Sequence, residues 1–186
     1  MVSEELDAVV YGGQPVRRPG PDADNPDEKG LLEAIDYVHL HGRRLYMTVN
    51  TLFKEDELEE LENYMRPYCD RGLDGVIVQD LGALAFMRRH FPGWSFIPAP
   101  DDSDQRIRGQ MMKEMGCSRV VTAREMSLEE IRRIHDETDI EIESFVHGAL
   151  CYCYSGQCLM STLSAAEAEN RGNGCAQPSP VFPTTA

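Results

Sequence analysis

Short apolar runs alternate with amphipathic stretches along most of the chain. Candidate strands are Ala8–Tyr11, Leu45–Val49, Gly75–Val78, Ser95–Ile97, Arg119–Thr122 and Ile140–Val146. Several are apolar at consecutive positions, so both faces must be covered, which is how buried parallel strands read. The segments between them change period from two to 3.6. Lys29–His41 places Leu31, Leu32, Ile35 and Val38 on one stripe and ends at Gly42. Glu55–Asp70 carries Leu58, Leu61, Met65 and Cys69, with acidic residues in its first turn and Gly72 beyond its end. Leu81–His90 is a shorter helix, and Ser103–Met115 shows Ile107, Met111 and Met115 before Gly116. Ser127-Leu-Glu-Glu130 is a capping box opening a last helix with Leu128, Ile131 and Ile134.

Strand–helix alternation of this kind predicts βα units and a parallel sheet, hence an α/β fold. An eight-fold barrel takes about 250 residues, so six strands and five helices would make an incomplete one. A doubly wound open sheet fits the count better, but no G-x-G-x-x-G follows the first strand; Gly12-Gly13 is only a weak turn signal. Gln14–Pro26, with four prolines and no periodicity, reads as a loop. The proline-punctuated tail from Pro178 reads as irregular.

A length of 186 residues suits one domain with a proper core. The formal charge of −14 argues against non-specific nucleic-acid binding, which depends on Lys and Arg neutralising phosphates. Any acidic partner needs a local basic patch, for which Arg17, Arg18, Arg43 and Arg44 are the nearest candidates. No apolar leader is visible in Met1–Leu6, and no run approaches the roughly 18 apolar residues of a membrane span. The expected location is therefore cytoplasmic, with no membrane partner. In that reducing compartment, clustered cysteines are more often ligands or reactive thiols than disulfides.

Candidate chemistry concentrates at two places. Parallel α/β folds work from the carboxyl ends of their strands, which here gives Asn50, Gln79, Asp80, Arg124, Glu125, His147 and Gly148. The plain alternative is that strand ends turn polar where loops begin. In the last predicted strand Glu141, Glu143, Phe145 and His147 share a face by the period of two. His147 can then be an acid–base group or support a ligand, or simply a structural histidine bonded to backbone.

The second place is thiol-rich. Four of the six cysteines (Cys151, Cys153, Cys158 and Cys175) fall within 25 residues. Six residues, Gly156 among them, separate Cys151 from Cys158, and Cys175 follows through the glycine-rich N-R-G-N-G. Three such thiolates can converge on one metal or cluster; free or redox-active cysteines are the alternative. The spacing is neither a zinc ribbon nor a ferredoxin run. Cys153 is too close to Cys151 to serve easily as a fourth ligand, and Cys69 and Cys117 read as buried small hydrophobes.

These residues resemble the signature of the collagenase-like peptidase family of unassigned catalytic type, number thirty-two. Its pattern E-x-F-x-H-G-[AS]-x-C stands here as Glu143, Phe145, His147, Gly148 and Cys151. Y-S-G-x-C-x-x-S stands as Tyr154, Ser155, Gly156, Cys158 and Ser161, and N-x-G-x-C-x-x-P as Asn170, Gly172, Cys175 and Pro178. Weaker resemblance runs upstream through D-A-V-V-Y-G-G, Y-M-T-V-N and G-V-I-V-Q-D, covering Asp7 to Pro178.

The resemblance implies a partial TIM-barrel-like (β/α) domain of about six parallel strands over residues 1–150. A cysteine-bearing signature segment follows over 151–178, then an irregular tail over 179–186. It implies one of two activities. Some members are named as collagenases or peptidases; others are similar to oxygen-independent hydroxylases that modify transfer RNA, ribosomal RNA or a quinone precursor. The latter hold a [4Fe–4S] cluster on four cysteines, of which Cys151, Cys158 and Cys175 match three, the fourth lying beyond the end of this chain. On this view Glu143, His147 and Arg124 tune the cluster or bind a small acidic co-substrate.

The family usually opens with a further strand and helix before D-A-V-Y-x-G-G. The chain is therefore expected to be the core of the family domain, with another chain completing the barrel. Three functions follow: an iron–sulfur RNA hydroxylase or a remnant of one, a peptidase, and a non-catalytic fragment. The peptidase reading lacks H-E-x-x-H and G-x-S-x-G, and nothing in the sequence orients a thiol–imidazole pair.

Overall fold

The computed structural model describes residues 7–12, 26–99, 105–147 and 153–156. Most of the predicted loop over 14–26, the proline-rich tail, and Cys151, Cys158 and Cys175 lie outside the described residues.

Six strands alternate with five helices: β1 (Ala8–Gly12), α1 (Glu28–Leu40), β2 (Arg44–Val49), α2 (Glu55–Asp70), β3 (Gly75–Val78), α3 (Leu81–His90), β4 (Ser95–Pro98), α4 (Gln105–Glu114), β5 (Arg119–Val121), α5 (Leu128–Thr138) and β6 (Glu141–Glu143). Local chemistry sets several of the helix starts. Asp27 accepts the Gly30 N–H at 2.8 Å to cap α1. Ser127 and Glu130 form the reciprocal capping box expected at α5.

Strands β1 to β4 form one parallel sheet in chain order, and β5 pairs with β6, also parallel. β5 lies beside β4: the Ser118 N–H donates to the Phe96 carbonyl at 3.3 Å, and the Ser95 and Ser118 hydroxyls are 2.5 Å apart. Neighbours in sequence are thus neighbours in space throughout.

The two faces of this sheet differ. Val9, Leu45, Met47, Val49, Val76, Val78, Phe96, Val120 and Ile142 point outward into a core shared with all five helices, through residues such as Ile35, Leu61, Met87, Met112 and Ile134. Each fully buried Leu, Ile or Met there contributes about 1.5–3 kcal/mol. The alternate positions Tyr46, Ile77, Ile97, Ala99 and Val121 form a second cluster without any helix residue. With helices on one face only, the chain is singly wound, as in a barrel. The doubly wound sheet suggested by the element count is excluded, since it would bury both faces under helices.

β3 and β4 approach closely at one glycine. A Cβ at Gly75 would sit 2.2 Å from the Ser95 carbonyl oxygen, so only glycine lets β3 approach β4 this closely on the inner face.

Two expectations require correction. β6 ends at Glu143 rather than Val146, because β5 ends at Val121 and its last rung is the Thr122 N–H donating to the Glu143 carbonyl at 2.9 Å. Phe145 and His147 therefore leave the strand, and both are exposed. On α4, Met112 rather than Met111 is buried. Gly109 lies against Ile134 and Thr138 of α5, and a Cβ at Gly109 would stand 3.3 Å from a methyl carbon of each. The Gly109–Met112 face of α4, three residues apart on one stripe, is therefore the one turned to its neighbour.

Candidate functional site

The carboxyl ends of the strands form a polar rim, but its residues do different work. Asp80 accepts the Ala83 N–H at 2.9 Å as the N-cap of α3 and the Phe53 N–H at 3.1 Å, which ties the rim loop after β2 to that helix. Its role is structural. Past β5, the buried Thr122 hydroxyl lies 2.7 Å from that of Ser144, which fastens the chain leaving β6 to the start of the β5–α5 loop.

In that loop, Arg124 and Glu125 form a tight turn that reaches the cysteine-bearing segment. Glu125 accepts the Ser155 N–H at 2.8 Å and lies 3.3 Å from its hydroxyl as a second donor. Arg124 donates from Nη2 to the Cys153 carbonyl at 3.2 Å and from Nε to Ser155 Oγ at 3.4 Å. Ser155 is 4% exposed, whereas Tyr154 and Gly156 on either side are exposed. Gly156 has φ 79°, a left-handed conformation that favours glycine and turns the chain between Cys151 and Cys158. Burial opposes ionisation of Glu125. Hydrogen bonds from its own backbone and from the Ser155 amide and hydroxyl, with the charge of Arg124, nevertheless hold its pKa below the ordinary carboxylate value.

A second polar group lies on the inner face. Arg119 donates to Glu143 at 2.9 Å and to Glu141 at 2.7 Å, and its guanidinium stands 6.0 Å from the centroid of the Tyr46 ring. Burial acts to lower the Arg119 pKa, but the bonds to Glu141 and Glu143 outweigh it and carry the pKa upward.

Of the predicted site residues, Glu143 is thus paired with Arg119 inside the curve of the sheet, and Arg124 grips the Cys153–Gly156 turn. His147 is exposed, beyond the end of β6. Glu143 ends β6, Arg124 lies in the loop after β5 and His147 lies beyond β6, and the structure gives each a different neighbourhood. Among the described residues, no three His, Cys, Asp or Glu side chains group closely enough to hold a metal ion. Cys117 is buried and Cys69 half-buried; burial pushes the Cys69 thiol pKa up, as suits an apolar thiol rather than a ligand. Arg119 is a site residue that linear pattern alone does not single out. Its one signal is a charged residue on the inner parity of β5, in register with Glu141 on β6.

The arrangement can present a conformationally held loop and a cation at the rim, backed by an ion-paired interior. The model of Peptidase family U32 matches residues 1–180. The chain is 37% identical over 172 residues to the tRNA hydroxylation protein P1 of Bacillus subtilis (strain 168), covering 92% of this chain and 40% of that protein. It is 34% identical over 179 residues to a 23S rRNA 5-hydroxycytidine synthase of Escherichia coli (strain K12), covering 92% of this chain and 26% of that protein. The chain therefore spans less than half the length of these curated relatives. A solved structure of a U32 peptidase superposes with a TM-score of 0.60 at 14% identity, over 77% of this chain and 62% of that one, a likeness of fold. Among the described residues, no helix is long and apolar enough to cross a membrane.

Proposed function

Because the chain belongs to peptidase family U32, we propose that it is part of an RNA-modifying hydroxylase, with Cys151, Cys158 and Cys175 as three ligands of a [4Fe–4S] cluster. The observation that carries the reading is the pairing of two facts. Relatives named for tRNA and 23S rRNA hydroxylation match 92% of the chain, and the turn between two of these cysteines is fastened to the strand-end rim. The donor set fits: thiolates are the ligands iron–sulfur clusters take, and cluster potential responds to nearby charge and hydrogen bonds.

When bound, a cluster supplies one-electron chemistry that side chains cannot perform. The chain's own residues would hold and orient. Arg124 places a cation beside the cysteine segment, where it offsets thiolate charge and offers the remaining guanidinium edge to a small acidic co-substrate. Glu143, held by Arg119 together with Glu141, keeps the inner face charged. His147, exposed at the rim, is available to carry a proton. With a net charge of −14, RNA would be engaged locally rather than by a general field, and a further polypeptide would complete the barrel.

Anaerobic purification with iron, acid-labile sulfide and visible absorbance measurements tests the cluster, and nucleoside analysis of tRNA and rRNA tests the activity. Bound iron that falls on Cys151→Ala is expected. Iron-free protein after anaerobic reconstitution would remove the cluster reading. Gelatin hydrolysis lost in cysteine variants but indifferent to iron would replace it with proteolysis.

A further inference from the structure

Asn50 after β2 and Gln79 after β3 stand at the same rim as Asp80, but without its capping role. Each continues the inward parity of its strand, Asn50 four residues past Tyr46 and Gln79 two past Ile77. Val49 and Val78 are partners in the β2–β3 register, so the next step sets Asn50 across from Gln79, on backbones about 4.8 Å apart. The Phe53 N–H bonded to Asp80 holds the chain that follows Asn50 against the end of β3, which keeps that step in place.

The neighbouring positions of this layer are small. Ala99 stands across from Gln79, its N–H donating to the Val78 carbonyl at 2.7 Å, and Ala123 lies two residues past Val121; both alanines are buried. One layer deeper, Ile77, Ile97 and Val121 fill the inner face. The mouth of the curled sheet thus has an apolar floor, methyl groups on one side and two carboxamides on the other. Asn50 is exposed and Gln79 half-buried. Among the described residues neither carboxamide is taken up by a hydrogen bond, whereas Asp80 and Glu125 on the same rim are engaged by backbone amides.

A carboxamide holds an acceptor oxygen and a donor nitrogen in one plane, which is the complement of a nucleobase edge. A flat ring lying on the apolar floor, with its edge toward both amides, would use every feature of the layer. An anionic group is better served by the Arg124 guanidinium than by uncharged amides. The charge of −14 points the same way, since weak attraction for phosphates leaves base contacts a larger share of RNA binding.

We propose that Asn50 and Gln79 bind the hydrogen-bonding edge of one unstacked nucleobase of an RNA substrate and select which base enters. The proposal rests on the RNA-modifying reading above and adds the residues that touch the base.

The test uses the full chain and fluorescently labelled oligouridylate, oligocytidylate, oligoadenylate and an abasic ribose-phosphate oligomer of the same length, read by anisotropy at low salt. The wild type should bind at least one base-bearing oligomer more tightly than the abasic one. Asn50→Ala and Gln79→Ala should each weaken that binding about 10-fold and leave the abasic oligomer unaffected. Gln79→Glu keeps the size but exchanges a donor for an acceptor. It should move the order of preference away from uridine and toward cytidine and adenosine, whose exocyclic amino groups donate. A residue that only shapes the rim would not reorder the bases. Should Gln79→Ala unfold, the near-isosteric Gln79→Glu carries the comparison.

Alanine variants that bind all four oligomers as the wild type does would overturn the proposal and leave the RNA reading standing. Equal losses on base-bearing and abasic oligomers would also overturn it, by assigning the amides to the sugar-phosphate chain. So would an unchanged order of preference in Gln79→Glu. A wild type that binds none of the oligomers would defeat the proposal and the RNA reading together.

Discussion

The Arg119 guanidinium stands over the Tyr46 ring, 6.0 Å from its centroid, although β3 and β4 lie between their strands. A flat sheet would hold residues three strands apart at about 14 Å, given a spacing of about 4.8 Å per strand. The contact therefore exists because the sheet curls toward its helix-free face. It makes that face an interior and gives the charged residues on it shared partners.

β3 and β4 come close together at Gly75. Gly75→Ala would drive a methyl group into the Ser95 carbonyl oxygen. A loss of about 1–3 kcal/mol is expected, the usual cost of overpacking. Urea denaturation should show a lower midpoint with an unchanged slope; a midpoint equal to wild type would mean the strands can part at no cost.

Arg119 and Glu143 should be energetically coupled. Arg119→Met leaves the half-buried Glu143 and the exposed Glu141 without their cation, at an expected cost of about 1–2 kcal/mol. Adding Glu143→Gln should return about 1 kcal/mol of this, because the double variant no longer leaves that acid unpaired. Strict additivity in a double-mutant cycle would show that the pair is incidental to the interior.

The grip on Ser155 should fail in acid. The Glu125 pKa is lower folded than unfolded, so its contribution is complete above the unfolded carboxylate range, near about 4.3, and is lost as pH falls through the lower folded value. Protection factors at the Ser155 amide, measured by exchange from pH 7 to pH 3, should fall at the acid end. Glu125→Gln should abolish that trend. A wild-type profile flat over the whole range would detach the amide from this carboxylate.

The fold is largely legible in the linear chain. All six strands and all five helices exist in the expected order, with only the last strand ending well short of its expected bound, and Ser127–Glu130 forms its box. Those features are local, decided within a turn or a few residues. Even the family signature, from Glu143 to Pro178, is a linear pattern, and it points to the family that the match over residues 1–180 bears out.

Other facts needed three dimensions. Counting elements favours a doubly wound sheet; only the pairing order and the one-sided helix layer show a single winding, because crossover direction leaves no trace in local periodicity. Met112 displaces Met111 from the core because Gly109 brings α5 close, a neighbour 25 residues away in the sequence at Ile134. The sequence by itself determined the elements, their alternation, and the motif in which the cysteines stand. The tertiary structure decided which polar residues on that framework meet: Arg119 with Glu141 and Glu143, and Glu125 with Ser155. The reason is physical: propensity and periodicity act between residues a few positions apart, whereas a hydrogen bond across thirty residues exists only once β5 and β6 lie side by side.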